Sequence, residues 1–402
     1  MGRSDHGHSH DPANDHAHDE TAHAGHSAHE TEPFPRMETA ELVAEELSGE
    51  RRRQRAQTVL IALGIAAIAL GLPWRFEYEH HKPAIEATAR GEWSALELGS
   101  SLLAQALRAV LRVTPMQAWF LLSALALAAT SALWMFMGRR RGYSTATTIL
   151  ATLVLVGAPV VWRAGTTPGA AACGLFGATW LFAALDVSRA NAGRAAIAAL
   201  RGEDASAGAR TFERRATIAW LCAALLHPWN VWLWPAYAWS LARHRRSSPW
   251  LAVFALAAWA ALVVGATALE HGTSRVPEFL ATAWRTLLAG GSSGPGPVLV
   301  WALAWMLLLA GATAGLLFVA KRAFGPPEAR PPVWMLVFAL APLVALGLGG
   351  VITFGVPYLW LAPIAFVGTL EIAQRSPRFA AIALAVDVAV VLIASLPPIS
   401  GP

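Results

Sequence analysis

The residues with the richest ligand chemistry come first in the chain: His6, His8, His10, His16, His18, His23, His26 and His29, interleaved with Asp5, Asp11, Asp15 and Asp19. Imidazole and carboxylate together suit divalent ions such as Zn or Ni. Their spacing is irregular and encodes no fixed tetrahedral site. Two expectations stay open for this tail: a weak divalent-metal buffer, or a solvated, pH-responsive leader. Chemically useful residues are sparse beyond it. Glu92 and Glu97 stand in a polar loop, five positions apart, where a shared helical face is not expected. Asp186 and Glu371 sit at the ends of apolar runs, Asp387 lies in the middle of one, and His227 and Asn230 fall in Leu225-Leu226-His227-Pro228-Trp229-Asn230. No apolar run carries a His-x-x-x-His or His-x-x-x-Asp pair, so the sequence offers little ligand track for a metal through a membrane.

The elements that must position these groups are transmembrane helices. The 402 residues are 55% hydrophobic and only 14% charged, with the charges gathered between apolar runs of about the 20 residues that cross a bilayer. This is the composition of an all-α polytopic membrane protein. Residues 1–36 hold almost no large apolar side chain and read as a disordered His-rich tail, and 37–57 read as a juxtamembrane helix, acidic early and basic late. The membrane domain is expected over 58–397. Its spans are drawn at 58–74, 116–137, 145–162, 169–187, 249–269, 297–319, 333–350, 355–371 and 379–397, about nine crossings. The first apolar run starts near Thr58, behind a polar leader and without a small-residue cleavage pattern, and is expected to stay as a signal anchor.

Charge orients the spans. Twelve acids face two arginines in residues 1–50, leaving 29 bases against 14 acids in the rest. The bases cluster at 51–55, 139–141, 189–215, 243–246, 321–322 and 375–378, all expected in the cytoplasm by the positive-inside bias, with the N-terminus inside and the chain in the inner (cytoplasmic) membrane. A basic balance of this kind points to membrane lipids as partners and not to nucleic acid. Both 189–215 and 243–246 are arginine-rich, so 216–242 should cross an even number of times. Pro228 removes a backbone donor and disfavours helix at His227, so a re-entrant hairpin of two half-helices of about 12 residues is expected, with His227 and Asn230 at its tip. A proline-kinked single helix is the alternative. The loop 75–115 balances five acids with five bases and contains RGEWSALELGSSLLAQALRAVLRV, an amphipathic pattern expected to lie on the outer surface. Cys173 and Cys222 lie in apolar runs and read as small hydrophobes.

In this order, over residues 58–245, the parts resemble the GT-C superfamily of membrane glycosyltransferases, particularly the bacterial group similar to protein O-mannosyltransferases. The resemblance rests on Ala89-Arg90-Gly91-Glu92 in the first outer loop, Phe120-Leu121-Leu122-Ser123-Ala124-Leu125 opening a span, Val161-Trp162-Arg163 and Leu226-His227-Pro228-Trp229. The family's leading loop acid falls on Ala89 here. The resemblance implies a GT-C-like fold, a lipid-linked sugar donor on a polyprenyl phosphate, and transfer to an extracytoplasmic acceptor. Glu92 would be the catalytic base, with Arg163, His227 and Asn230 on the substrate side near the leaving phosphate. Arg163 read by itself is a snorkelling interfacial arginine, and His227 a group that satisfies a broken backbone. The alternative function is a divalent metal transporter or metal-responsive membrane protein governed by the tail.

Overall fold

The computed structural model describes residues 36–72, 78–200, 206–243, 248–289, 312–327, 330–348 and 356–395. The eight tail histidines lie outside these residues, as does most of the span drawn at 297–319. The chain divides into two units, residues 1–53 and 54–402, and the second holds everything that positions the site. Among the described residues the structure is all helical, with no strand.

The helices are α1 (Arg36–Gly71), α2 (Tyr78–Arg90), α3 (Leu98–Leu111), α4 (Pro115–Arg140), α5 (Thr145–Gly157), α6 (Pro159–Thr166), α7 (Ala171–Leu200) and α8 (Ser206–Leu226). A 3-10 turn (Pro228–Leu233) leads to α9 (Trp234–Arg243), then α10 (Trp250–His271), α11 (Val276–Ala289), α12 (312–323), α13 (Val333–Leu348), a second 3-10 turn (Val356–Leu361), α14 (Ala362–Arg375) and α15 (Pro377–Ser395). Three of these, α1 over Ser48–Gly71, α4 and α10, are individually long and apolar enough to span a membrane, and α5 with α6 makes a fourth if a bent pair is one span. The nine crossings drawn from the sequence therefore exceed what the described helices show one by one. Exposed Phe254, Leu262 and Leu269 on α10, and Ile382, Val386 and Ile393 on α15, present the apolar surface of a membrane protein.

Two elements differ from expectation for a reason already in the sequence. The span drawn at 145–162 is broken: α5 and α6 meet at 72°, because Pro159 opens α6 and holds Ala158 out of the helical region at φ −57, ψ 126. The segment drawn at 216–242 begins earlier, since α8 is a full 21-residue helix reaching back to Ser206. Its break does fall at His227. Beyond it the chain turns back, so that Tyr237 of α9 stacks on Trp220 of α8 at 5.7 Å and its hydroxyl lies 2.7 Å from that of Thr217.

The core is built around α4, α7 and α8, where small residues bring helix axes close and aromatics fill the gaps. A Cβ on Gly177 would stand 2.8 Å from the Cα of Ala223. Trp134 stacks on Phe366 at 5.8 Å and Phe338 meets Phe182 edge-on at 5.3 Å, contacts of roughly 1 kcal/mol each beyond their burial. Arginine clusters from separate loops gather at one end. Arg141 makes a bidentate pair with Asp186 at 2.7 and 3.0 Å, while Glu371 accepts from Tyr143 at 2.8 Å, Arg322 at 3.1 Å and Arg375 at 3.4 Å.

Candidate functional site

At the end of the helices away from these arginines, α2, the loop 91–97, α3 and the turn after α8 come together. Thr114 and Gln117 form a capping box that starts α4 beside them. Trp119 of α4 donates to the Thr88 hydroxyl of α2 at 2.9 Å, and Arg108 of α3 donates to the carbonyls of Thr88 and Ala89, where a helix C-terminus favours a cation. Gly91, at φ +80, turns the chain sharply after α2 and brings Glu92 back onto Arg90.

Glu92 is consequently occupied. Arg90 donates to both of its carboxylate oxygens at 2.8 Å, on an exposed surface, and the hydrogen bonds and charge of that guanidinium hold the Glu92 carboxyl below the usual carboxylate range. Its backbone carbonyl accepts from Gln105. A carboxylate stabilised in this way is a weak proton acceptor.

Glu97 has the opposite environment. It occupies the N-cap position of α3 but its side chain makes no capping hydrogen bond, and it is half-buried. Burial pushes its carboxyl up to about 7. The five-residue spacing from Glu92 does not separate the two acids across a helix, because 91–97 is a loop. Only the packing tells them apart.

Two adjacent residues of α7 join Glu97 to the turn. Cys173 lies within range of the Glu97 charge, and Gly174 lies against the His227 ring, where a Cβ would be 2.8 Å from Cγ. The first turn of α3 closes the cluster: Gly99 packs on the Leu225 carbonyl and Ser100 donates to that of Leu226. His227 is buried, with its Nδ1 accepting from the Trp229 amide at 3.4 Å, so the proton belongs on Nε2. Asn230 is buried too, and its amide donates to the carbonyls of Gly174 and Ala223, both at 3.0 Å. These bonds tie the broken segment to α7, and Asn230→Ala is expected to lower stability by about 1–3 kcal/mol. Thermal unfolding of the purified protein measures this, and an unchanged midpoint would contradict the clamp.

Arg163 is the outlier. It is exposed on α6, and among the described residues its guanidinium makes no hydrogen bond to Glu92, His227 or Asn230. The structure thus places His227 and Asn230 in one turn against α7, and Glu97 at the start of the helix whose first turn packs on that turn, while Glu92 sits at the surface of the same loop as Glu97 and Arg163 stands apart.

Two features of this end were not read from the sequence. An apolar cavity of about 340 Å³ opens beside the turn, walled by Leu96, Trp232, Trp234, Trp259, Val263 and Leu280. Its wall thus includes the residue preceding Glu97. Glu270, at the end of α10, is the other: its side chain is 11% exposed, it lies close enough to Glu92 for their charges to interact, and His271 Nε2 is 3.7 Å from its Oε2. Among the described residues no group of three His, Cys, Asp or Glu side chains is arranged to hold a metal ion.

No family model and no curated protein matches this sequence. Two solved structures share its fold. One is ArnT from Cupriavidus metallidurans bound to undecaprenyl phosphate, with TM-score 0.59 and 15% identity over 82% of this chain and 61% of that one. The other is ArnT from the same organism in the apo state, with TM-score 0.56 and 13% identity over 83% and 62% of the two chains. The chain spans about three-fifths of the length of the ArnT chains it matches. At this identity the likeness shows the fold alone: the all-helical membrane fold expected from the sequence is the one observed, and it is shared with the ArnT chains.

Proposed function

We propose that this GT-C-like membrane protein transfers a sugar from a polyprenyl-phosphate donor to an acceptor on the extracytoplasmic side, with Glu97 as general base. One observation carries the proposal: a half-buried carboxyl raised to about 7 stands at the N-cap of the helix whose first turn packs on the residues just before buried His227, next to an apolar cavity, at the end of the helices away from the arginine clusters. Such a carboxyl is half ionised near neutral pH, where general-base catalysis is most efficient. The structural neighbour bound to undecaprenyl phosphate supports the donor class.

In the proposed step the Glu97 carboxylate takes the proton of an acceptor hydroxyl. The acceptor oxygen forms its bond to the anomeric carbon as the bond from that carbon to the phosphate oxygen breaks. The electron pair leaves with polyprenyl phosphate. His227 Nε2 is assigned to the phosphate and the apolar cavity to the first prenyl units, while Arg163, which stands apart from them, is left out of the step. Glu92 keeps a structural role, fixing the loop through Arg90, in place of the base role expected for it. Asn230 holds the turn and does not bind substrate through its amide.

The reading also requires the N-terminus and arginine clusters in the cytoplasm of an inner membrane, a re-entrant α8–α9 hairpin and an outer loop over 75–115. Labelling of single cysteines tests it: His271→Cys should react from outside the cell and Arg214→Cys only after permeabilisation. The reverse pattern would sink the topology and the proposed side of transfer with it.

A further inference from the structure

A polar cavity of about 190 Å³ lies at the arginine-bearing end, between α7, α12, α14 and the segment that enters α13. Three arginines reach its wall from separate parts of the chain: Arg141 after α4, Arg322 at the end of α12 and Arg330 ahead of α13. Each is held by one edge. Arg141 donates through Nε and Nη2 to Asp186, Arg322 through Nη1 to Glu371, and Arg330 through Nε to the Gly325 carbonyl at 2.9 Å. A guanidinium carries five N–H donors, so all three keep donors beyond these bonds. Arg330 is exposed, and the cavity opens to solvent beside it. Pro331 disfavours helix at Arg330, and the bond to Gly325 pins its side chain at the rim.

The balance of charge decides which ligand the cavity favours. Asp186 and Glu371 line it as well, but Glu371 is shared between Arg322 and Arg375, which lies just outside the wall. Counted over these described side chains, four guanidinium groups stand against two carboxylates, and an excess of two positive charges remains. That excess disfavours a cation. An apolar ligand would strip the remaining guanidinium donors of water without replacing their hydrogen bonds. An oxyanion meets both conditions.

We propose that this cavity binds a phosphate ester, with the phosphoryl oxygens among Arg330, Arg322 and the outer edge of Arg141. Arginine suits a phosphoryl group because its planar fork donates parallel hydrogen bonds to two oxygens. Asp186 and Glu371 hold two of the forks in place before the ligand arrives, which lowers the cost of ordering them. Phe318 and Val367 in the wall face the ester carbons. A soluble phosphomonoester and a phospholipid headgroup present the same oxygens here, and the test separates them. The site is independent of the sugar-transfer reading and stands at the opposite end of the helices.

The test is native mass spectrometry of the full-length protein in detergent, with glycerol 3-phosphate and dioleoyl phosphatidate added in turn, each beside its phosphate-free counterpart, glycerol or dioleoylglycerol. Wild type should retain one molecule of a phosphorylated ligand and none of the counterparts. Retention of the lipid alone assigns the phosphate to a headgroup, and retention of the soluble ester assigns it to the phosphoryl group itself; both support the site. Arg330→Gln, on an exposed side chain with one backbone hydrogen bond, should lower retention about tenfold through loss of charge-assisted hydrogen bonds. Arg214→Gln, on exposed α8 surface outside the cavity, should leave retention unchanged. Retention of neither phosphorylated ligand, no effect of Arg330→Gln, or an equal fall with Arg214→Gln would each overturn the site, the last by showing diffuse attraction to basic surface.

Discussion

Glu97→Gln is expected to reduce sugar transfer at least 100-fold at pH 7.5 while leaving the protein folded, since a positioned general base contributes about 10² to 10⁴ in rate. The readout is release of polyprenyl phosphate from a panel of polyprenyl-phosphate sugars supplied to the purified protein in lipid nanodiscs. Glu92→Gln should retain most of the activity, because its carboxylate is held by Arg90 on the surface. The pH profile separates a base from a merely structural acid. The reactive form is the carboxylate, so the wild-type rate should rise with pH and level off above the Glu97 pKa, near 7. The Gln variant should lack that inflection.

Stability gives a second signature of the same residue, with the sign fixed by linkage. The folded-state pKa of Glu97 is raised, so between its ordinary value and about 7 the folded protein binds more protons than the unfolded chain and stability falls as pH rises. Above pH 7 the wild type carries a charge that burial disfavours. Glu97→Gln should therefore stabilise the protein at pH 8, by up to about 3 kcal/mol, and lose that advantage toward pH 5. A variant that is inactive and also less stable at pH 8 would mark Glu97 as structural.

Gly177→Val is expected to have the largest effect on the fold around the site. The new Cβ would stand 2.8 Å from the Ala223 Cα and 3.1 Å from the Asn230 amide nitrogen. The nearer contact is backbone, which no rotamer change relieves. The helices α7 and α8 must separate, a cost of about 1–3 kcal/mol or more, and Asn230 loses its anchor on the Gly174 carbonyl. Activity should fall together with stability. Gly64→Val, on α1 where nothing lies within 4 Å of the added Cβ, is the control and should change thermal unfolding little. Equal tolerance at both positions would contradict the close α7–α8 packing that holds the turn.

The sequence makes the class and much of the architecture legible because apolar run length and arginine clustering respond to the bilayer itself. Pro228 is legible as a break since a missing amide at the centre of an apolar run has few other uses. Pro159 obeys the same rule, but the apolar run around it outweighs it in any reading by hydropathy, and the resulting bend is visible only in the folded chain. The core is harder to see: Gly174, Gly177 and Ala223 carry little hydropathy, yet they set how closely α7 and α8 approach.

The candidate site is half legible for a related reason. His227 and Asn230 stand out because polar residues beside a helix-breaking proline need partners. Glu92 and Glu97 look alike as loop acids, and what separates them is three-dimensional. Gly91 turns Glu92 onto Arg90, whereas the first turn of α3 presses Glu97 toward α7. Neither event leaves a mark in residue type or spacing. The apolar cavity combines Leu96, the turn after α8, α10 and α11, segments spread over nearly half the chain.

The central claim is that a polyprenyl phosphate seats at the Glu97–His227 end of the helices. A structure of the purified protein with undecaprenyl phosphate tests it most directly. The account predicts the phosphate within hydrogen-bond reach of His227 Nε2, Glu97 facing the space beside it, and the first prenyl units between Trp234, Trp259 and Leu96. Undecaprenyl phosphate seated at another surface of the protein, with this cavity empty, would contradict it.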